Sequence, residues 1–234
     1  MYINKNIIDM KNFYIHVFIL SFIILFFSLY TTYKSKKEGY SSNSTNTTIV
    51  LLGDSILQNS SYVPPGKAIE DIISRKSNGS CHCFAKNNAK TYEIQNQVTS
   101  IPLDLNNSHT TIFLSAGGND ILDKYVERND PNLNDLDYLN TIFGAYKNLV
   151  KAIKTKMNQA NLVLLDVYYP KSTKYLPYTN IITTWNHKIY NYAKENNLSV
   201  LRISTILTKT DDFILEIEPS ETGGEKIGQN ILQF

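Results

Sequence analysis

Thr47-Thr48-Ile49-Val50-Leu51-Leu52-Gly53-Asp54-Ser55-Ile56-Leu57 is the stretch on which the fold turns. From Thr48 to Leu52 every residue is apolar or β-branched, the pattern of a strand buried on both faces in a parallel sheet. Gly53 then permits a sharp turn off the strand end. Asp54 and Ser55 suit the cap and first turn of whatever follows. This reading places the Ser55 hydroxyl at the carboxyl end of a central strand, the edge where open α/β sheets bind ligands. A helix N-terminus at that point favours developing negative charge. Taken alone, Gly-Asp-Ser also reads as nothing more than a turn.

A second stretch repeats the pattern. Thr110–Leu122 (Thr-Thr-Ile-Phe-Leu-Ser-Ala-Gly-Gly-Asn-Asp-Ile-Leu) is again a buried strand running into glycines and polar groups. Parallel strands end on one edge, so Asn119 is expected beside Ser55, where its amide can donate to an oxyanion. With both stretches in this order, the chain from Thr47 onward resembles the SGNH/GDSL hydrolase family. Gly53-Asp54-Ser55 looks like its nucleophile block and Gly117-Gly118-Asn119-Asp120 like its Gly-x-Asn-Asp block. The resemblance implies a flavodoxin-like strand order, 2-1-3-4-5, and action on lipid esters, thioesters or acetylated sugars.

Two family positions are altered. Phe84–Thr91 falls where the family carries a glycine whose N–H faces the oxyanion, and Asn88 takes that place. Asn is the residue other than Gly that best tolerates left-handed backbone, so the donor is retained. The family's base is a histidine in an Asp-x-x-His segment before the last helix. Here the segment is Leu215-Glu216-Ile217-Glu218-Pro219-Ser220, with Leu215 in the Asp position and Glu218 in the His position. Glu218 reads either as a base with a pKa raised by burial or as a helix-capping or structural carboxylate near the N-terminus of the last helix. Of the four histidines, His16 lies in an apolar N-terminal run, His82 and His109 sit at strand starts on the far edge, and His187 is on a helix.

The remaining pattern alternates strands and helices, which predicts a three-layer α/β/α sandwich around a five-stranded parallel sheet. Pro64-Pro65 reads as a helix opening, with Ala68, Ile69, Ile72 and Ile73 as its apolar face. A short strand at Cys81-His82-Cys83 follows. A helix finishing near Gln95 and Gln97 then leads to the second motif. A long amphipathic helix at Tyr138–Ala160, a strand at Asn161–Tyr168, a helix at Ile181–Glu195, a strand at Leu198–Ser204 and a closing helix at Glu221–Leu232 complete the domain. Cys81 and Cys83 lack the further ligands a metal site needs and read as small buried or free thiols. No metal or cofactor is implied.

Residues 13–33 form an apolar run without Lys, Arg, Asp or Glu, long enough for a transmembrane helix. No small-residue cleavage site follows it. The expected organisation is therefore an N-terminal flank at 1–12, an uncleaved anchor at 13–33, a Ser/Asn/Thr-rich tether at 34–46 and the domain at 47–234. Lysines on both sides of the run leave its orientation close to a tie. Asn-x-Ser/Thr sequons at Asn43, Asn46, Asn59, Asn78, Asn106 and Asn197 and the family resemblance favour a lumenal or extracellular domain. Net charge is +2, with 42% hydrophobic and 19% charged residues, and nothing points to nucleic acid. The expected function is a membrane-anchored serine ester hydrolase using Ser55, Asn88, Asn119 and Glu218 on a small-molecule, glycan or lipid ester. The alternative is an inactive binding module for an acyl or glycan group. Neither strand turn carries a Gly-x-Gly-x-x-Gly or Walker loop, which counts against a nucleotide- or flavin-binding protein.

Overall fold

The computed structural model describes residues 47–77, 80–127 and 136–234, and in the N-terminal stretch residues 18, 19, 21–23, 25, 26 and 28. The chain divides into two units, Met1–Ser44 and Thr45–Phe234. In the first unit the described residues are helical, and the Phe18 and Phe22 rings are tilted to each other with centroids 6.4 Å apart. Most of the expected anchor at 13–33, and the tether at 34–46, lie outside the described residues. Among the described residues no helix is long and apolar enough to cross a membrane.

In the second unit, β1 (Thr48–Leu52), β2 (Cys81–Cys83), β3 (Thr110–Leu114), β4 (Asn161–Leu165) and β5 (Ser199–Leu201) form a parallel sheet in the order β2-β1-β3-β4-β5. This is the order the resemblance implied. Strand side chains alternate between faces, and both faces are buried. Val50, Leu52, Ile112, Leu114, Leu162 and Leu164 pack under α2 (Thr91–Ser100), α4 (Leu136–Lys156) and α5 (Thr179–Glu195). Ile49, Leu51, Phe113, Val163, Leu165 and Leu201 pack under α1 (Ile69–Lys76) and α7 (Glu221–Gln233). Two short α-helical segments are also present, α3 (Gly118–Ile121) after β3 and α6 (Ile203–Ile206) after β5. A two-stranded antiparallel hairpin, β6 (Phe213–Ile214) and β7 (Glu218–Pro219), precedes α7.

Several boundaries differ from the sequence reading, each for a local reason. Pro64-Pro65 does not open α1. The Lys67 N–H donates to the Pro64 carbonyl, so the prolines sit in a separate turn, and α1 starts at Ile69, whose N–H donates to the Asn59 side chain at 2.8 Å. Asn59 is fully buried, so the folded domain offers no glycan acceptor at that sequon. The ends of β4 and β5 are shorter than expected because buried side chains capture their backbone. Asn186 takes both the N–H and the C=O of Val167 (2.9 and 2.7 Å), and the Asp166 carboxylate accepts from the Ser204 N–H at 2.9 Å. Cys81 and Cys83 are free, half-buried thiols, and burial pushes both up to about 12.

Candidate active site

The nucleophile turn is fixed from several sides. Gly53 adopts φ 136°, and a Cβ there would lie 2.2 Å from the Ser115 carbonyl oxygen, so only glycine fits. The buried Gln97 amide clasps it, accepting from the Gly53 N–H and donating to its C=O, each at 2.8 Å. Next in the chain, Asp54 is buried and accepts from the Ser115 hydroxyl (2.7 Å) and the Ile56 N–H (3.2 Å). Desolvation raises its pKa to about 6, those two donors pull it back, and the charge of Asp120 adds to the rise. The Leu57 and Gln58 N–H groups close a turn on the Asp54 carbonyl. That turn does not extend into a helix, contrary to the expectation of a helix N-terminus at Ser55.

The second motif is held by packing. Gly117 has φ 100°, and a Cβ on it would lie 2.1 Å from the Trp185 ring. Asn119 follows on the first turn of α3 and donates to the Ala89 carbonyl at 3.0 Å. Asn88, beside Ala89 in the chain, has φ 58°, the left-handed backbone expected of a residue replacing the family glycine. Asp120 caps α2 by accepting from the Thr91 N–H (3.0 Å) and hydroxyl (2.8 Å).

Glu218 reaches the same place from the far end of the chain. It lies on β7 and is buried, with the Ser55 and Tyr62 hydroxyls near enough to act on its pKa. Desolvation raises its pKa most and the charge of Asp54 adds to that, while the two hydroxyls oppose. One of its oxygens, Oε2, is buried without a hydrogen-bond partner. The capping reading of Glu218 is corrected, because Ser220 is the N-cap of α7 and accepts from the Gly223 N–H at 3.1 Å.

Ser55, Asn119 and Glu218 line one pocket, whose walls include Ile121, Leu122, Val167, Tyr175, Ile182 and Ile217. Asn88 is not among the lining residues; it precedes Ala89 in the chain, whose carbonyl the Asn119 side chain engages. No histidine of the described residues lines it: His82 is on β2, His109 precedes β3 at the opposite edge, and His187 is exposed on α5. His16 lies outside the described residues. A buried nucleophilic hydroxyl against a carboxylate, with an amide donor across an apolar pocket, can support acyl transfer.

No family model matches the chain, and neither does any curated protein. Solved structures do. A lipolytic protein of the G-D-S-L family from Veillonella parvula superposes with a TM-score of 0.61 at 21% identity, over 80% of this chain and 97% of its own. The fold is the SGNH/GDSL fold. A lipase from a goat rumen metagenome (TM-score 0.60, 17% identity, 80% of this chain and 96% of that one) is similar to it as well. So is a Clostridium thermocellum family 3 carbohydrate esterase (0.57, 16%, 80% and 94%).

Within the SGNH/GDSL fold, three residues that the sequence reading passed over support the site. Gln97 and Asn186 clasp the chain beyond the ends of β1 and β4, and Tyr62 meets Glu218. Gln97 and Asn186 carried a signal, since each is an amide placed on the apolar stripe of its helix. Tyr62 lies in an irregular segment, where periodicity gives none.

Proposed function

We propose that the chain is a serine ester hydrolase. Ser55 Oγ attacks the acyl carbonyl, Glu218 accepts its proton, and the tetrahedral oxyanion is held by the Ser55 N–H and by the Asn119 amide. Collapse breaks the bond to the alcohol, which leaves with the proton held by Glu218. Water then attacks the Ser55 ester and gives its proton to Glu218, which passes it to Ser55 Oγ as the acyl–oxygen bond breaks and the acid leaves. The observation that carries this reading is that Ser55, Asn119 and Glu218 line a single apolar pocket. Solved structures named as a lipolytic protein, a lipase and a carbohydrate esterase on the same fold support it.

The pocket also supports a substrate class. Its cavity measures about 70 Å³, against about 150 Å³ for an apolar cavity that accepts benzene. That room suits a short apolar acyl group. The apolar run at 13–33 supports tethering the enzyme to a membrane, with its domain on the lumenal or extracellular side.

The test combines a serine-directed phosphonate with a series of p-nitrophenyl esters from acetate to octanoate. Ser55 is expected to be labelled and Ser55→Ala not. Turnover should be fastest at the short end, and Glu218→Gln should abolish it without loss of fold. No labelling and no turnover at any pH would leave the binding module, which the absence of a histidine among the described residues that line the pocket favours.

A further inference from the structure

We propose that the sheet edge on which the pocket opens is a docking face for a lipid bilayer surface, and that the hairpin tip at Leu215 enters that surface. The inference rests on the membrane tethering proposed above and not on the hydrolase chemistry.

The placement of exposed apolar side chains carries the argument. Among the described residues of the second unit, seven large apolar side chains are left exposed. Five of them belong to segments that leave the carboxyl ends of strands or open the next helix. Tyr92 is in the first turn of α2, Leu136 starts α4, Leu176 precedes α5, and Ile214 and Leu215 are in the hairpin before α7. Because the sheet is parallel, all these segments share one edge, the edge that holds Ser55 and Asn119. The other two lie at the amino edge, Leu103 on the approach to β3 and Phe234 after α7. Single exposed apolar residues are ordinary, but a set gathered around a pocket marks an interaction face.

Leu215 is the most telling member. It is 68% exposed and sits at φ 49°, beside Glu216 at φ 70°. Bulky residues seldom take left-handed backbone, and glycine or asparagine would serve such a turn at less cost. A leucine there gains little by packing within the domain, so its gain lies outside it. The tip is also held in place. The Glu216 carboxylate accepts from the Ser172 hydroxyl at 2.6 Å, and the Tyr168 hydroxyl donates to the Ile217 carbonyl. These bonds tie the hairpin to the segment after β4, which carries Leu176. Both line the pocket, the hairpin through Ile217 and Glu218 and the segment through Tyr175 and Tyr178.

The occupant follows from the chain itself. Residues 13–33 are an apolar run without Lys, Arg, Asp or Glu. A flexible tether of 13 residues, 34–46, has an end-to-end distance of about 20 Å, so a run lodged in a bilayer would keep the domain at its surface. Lys86, Lys171 and Lys174 are exposed on the same carboxyl-edge segments. Their ammonium groups suit lipid phosphates, while the apolar tips reach the boundary between headgroups and acyl chains. An ester carried by a lipid would then meet Ser55 from the bilayer surface, with its short acyl group in the pocket and its lipid portion outside.

The experiment places the full-length protein in vesicles of three parts phosphatidylcholine to one part phosphatidylglycerol, as wild type, Leu215→Trp, Leu176→Trp and Leu103→Trp. Trp185 is the single native tryptophan and is fully buried, so the wild-type signal is subtracted as background. Phosphatidylcholine brominated at a shallow or a deep point of its acyl chains is the quencher. The tryptophans introduced at 215 and 176 should lose most of their fluorescence to shallow bromines and less to deep ones, and the one at 103 should stay bright. Equal quenching at 215 and 103, or none at 215, overturns the proposal. A blue shift at 215 that grows with protein density and ignores bromine means that a second copy covers the face, and also overturns it. Carbonate extraction tests the tether separately. If the full chain washes off the vesicles, the tethering reading fails, and quenching at 215 when fresh brominated vesicles are added decides the docking face alone.

Discussion

Replacing Asp54 by asparagine should stabilise the protein, and more so as pH rises. Asp54 is buried and its carboxyl titrates at about 6 rather than 3.8. Between those values the folded state holds a proton that the unfolded state has lost. Stability therefore falls as pH rises through that window, and the loss is complete above it. At about 1.4 kcal/mol per pH unit, the two-unit window corresponds to about 3 kcal/mol. Asparagine retains an oxygen for the Ser115 hydroxyl and the Ile56 N–H and never ionises. The stability gap between variant and wild type should accordingly widen by about 2.5 kcal/mol from pH 4 to pH 8, whatever fixed offset the amide introduces. Glu218 and Asp120 ionise more easily once Asp54 is neutral, which adds in the same direction. Urea denaturation at several pH values measures the gap, with the fluorescence of Trp185, the single and fully buried tryptophan, as the probe. A gap constant across that range would refute the reasoning.

Gln97→Leu leaves the buried N–H and C=O of Gly53 without their partners; unfolding free energy should drop by about 2–4 kcal/mol, read by the same denaturation. Asn119→Ala removes the amide donor from the pocket, and ester turnover should fall about 100- to 1,000-fold while the melting temperature changes little; wild-type turnover would show that Asn119 serves only α3. Cys81 and Cys83 should resist a thiol reagent at pH 8 in the native protein and react fully in denaturant, because burial holds both as neutral thiols. Rapid native-state labelling would contradict that.

The sheet was legible because its three central strands are short runs dominated by apolar and β-branched residues, each followed by a turn signal. Gly53-Asp54-Ser55 and Gly117-Gly118-Asn119 were legible as a site because parallel topology brings two strand ends to one edge. Their backbone angles justify the glycines that made them visible. The early end of β4 was hidden, since Val167 is apolar and β-branched, and an amide eighteen or more residues away claims its backbone. The β6–β7 hairpin was hidden for the opposite reason. Its turn uses Leu215 and Glu216 at φ 49° and 70°, where glycine or asparagine is the usual occupant. Glu218 could be placed at the site by its position before the last helix. Its neighbours could not, because Tyr62 arrives from a segment with no period to read.

The concentration of acids at the pocket sorts ligands by sign. Asp54 and Glu218 interact with each other as like charges, and Asp54 with Asp120. In a desolvated setting such repulsion reaches farther than in water. A neutral ester feels little of it on entering. Its hydrolysis product is a carboxylic acid that ionises at neutral pH, and the new anion then stands against carboxylates already in place. The like charge that adds to the cost of ionising the desolvated Glu218 would also expel the acid from the pocket, so turnover should be little inhibited by free short-chain acids. Acyl groups bearing a terminal carboxylate should be poor substrates even when their length fits.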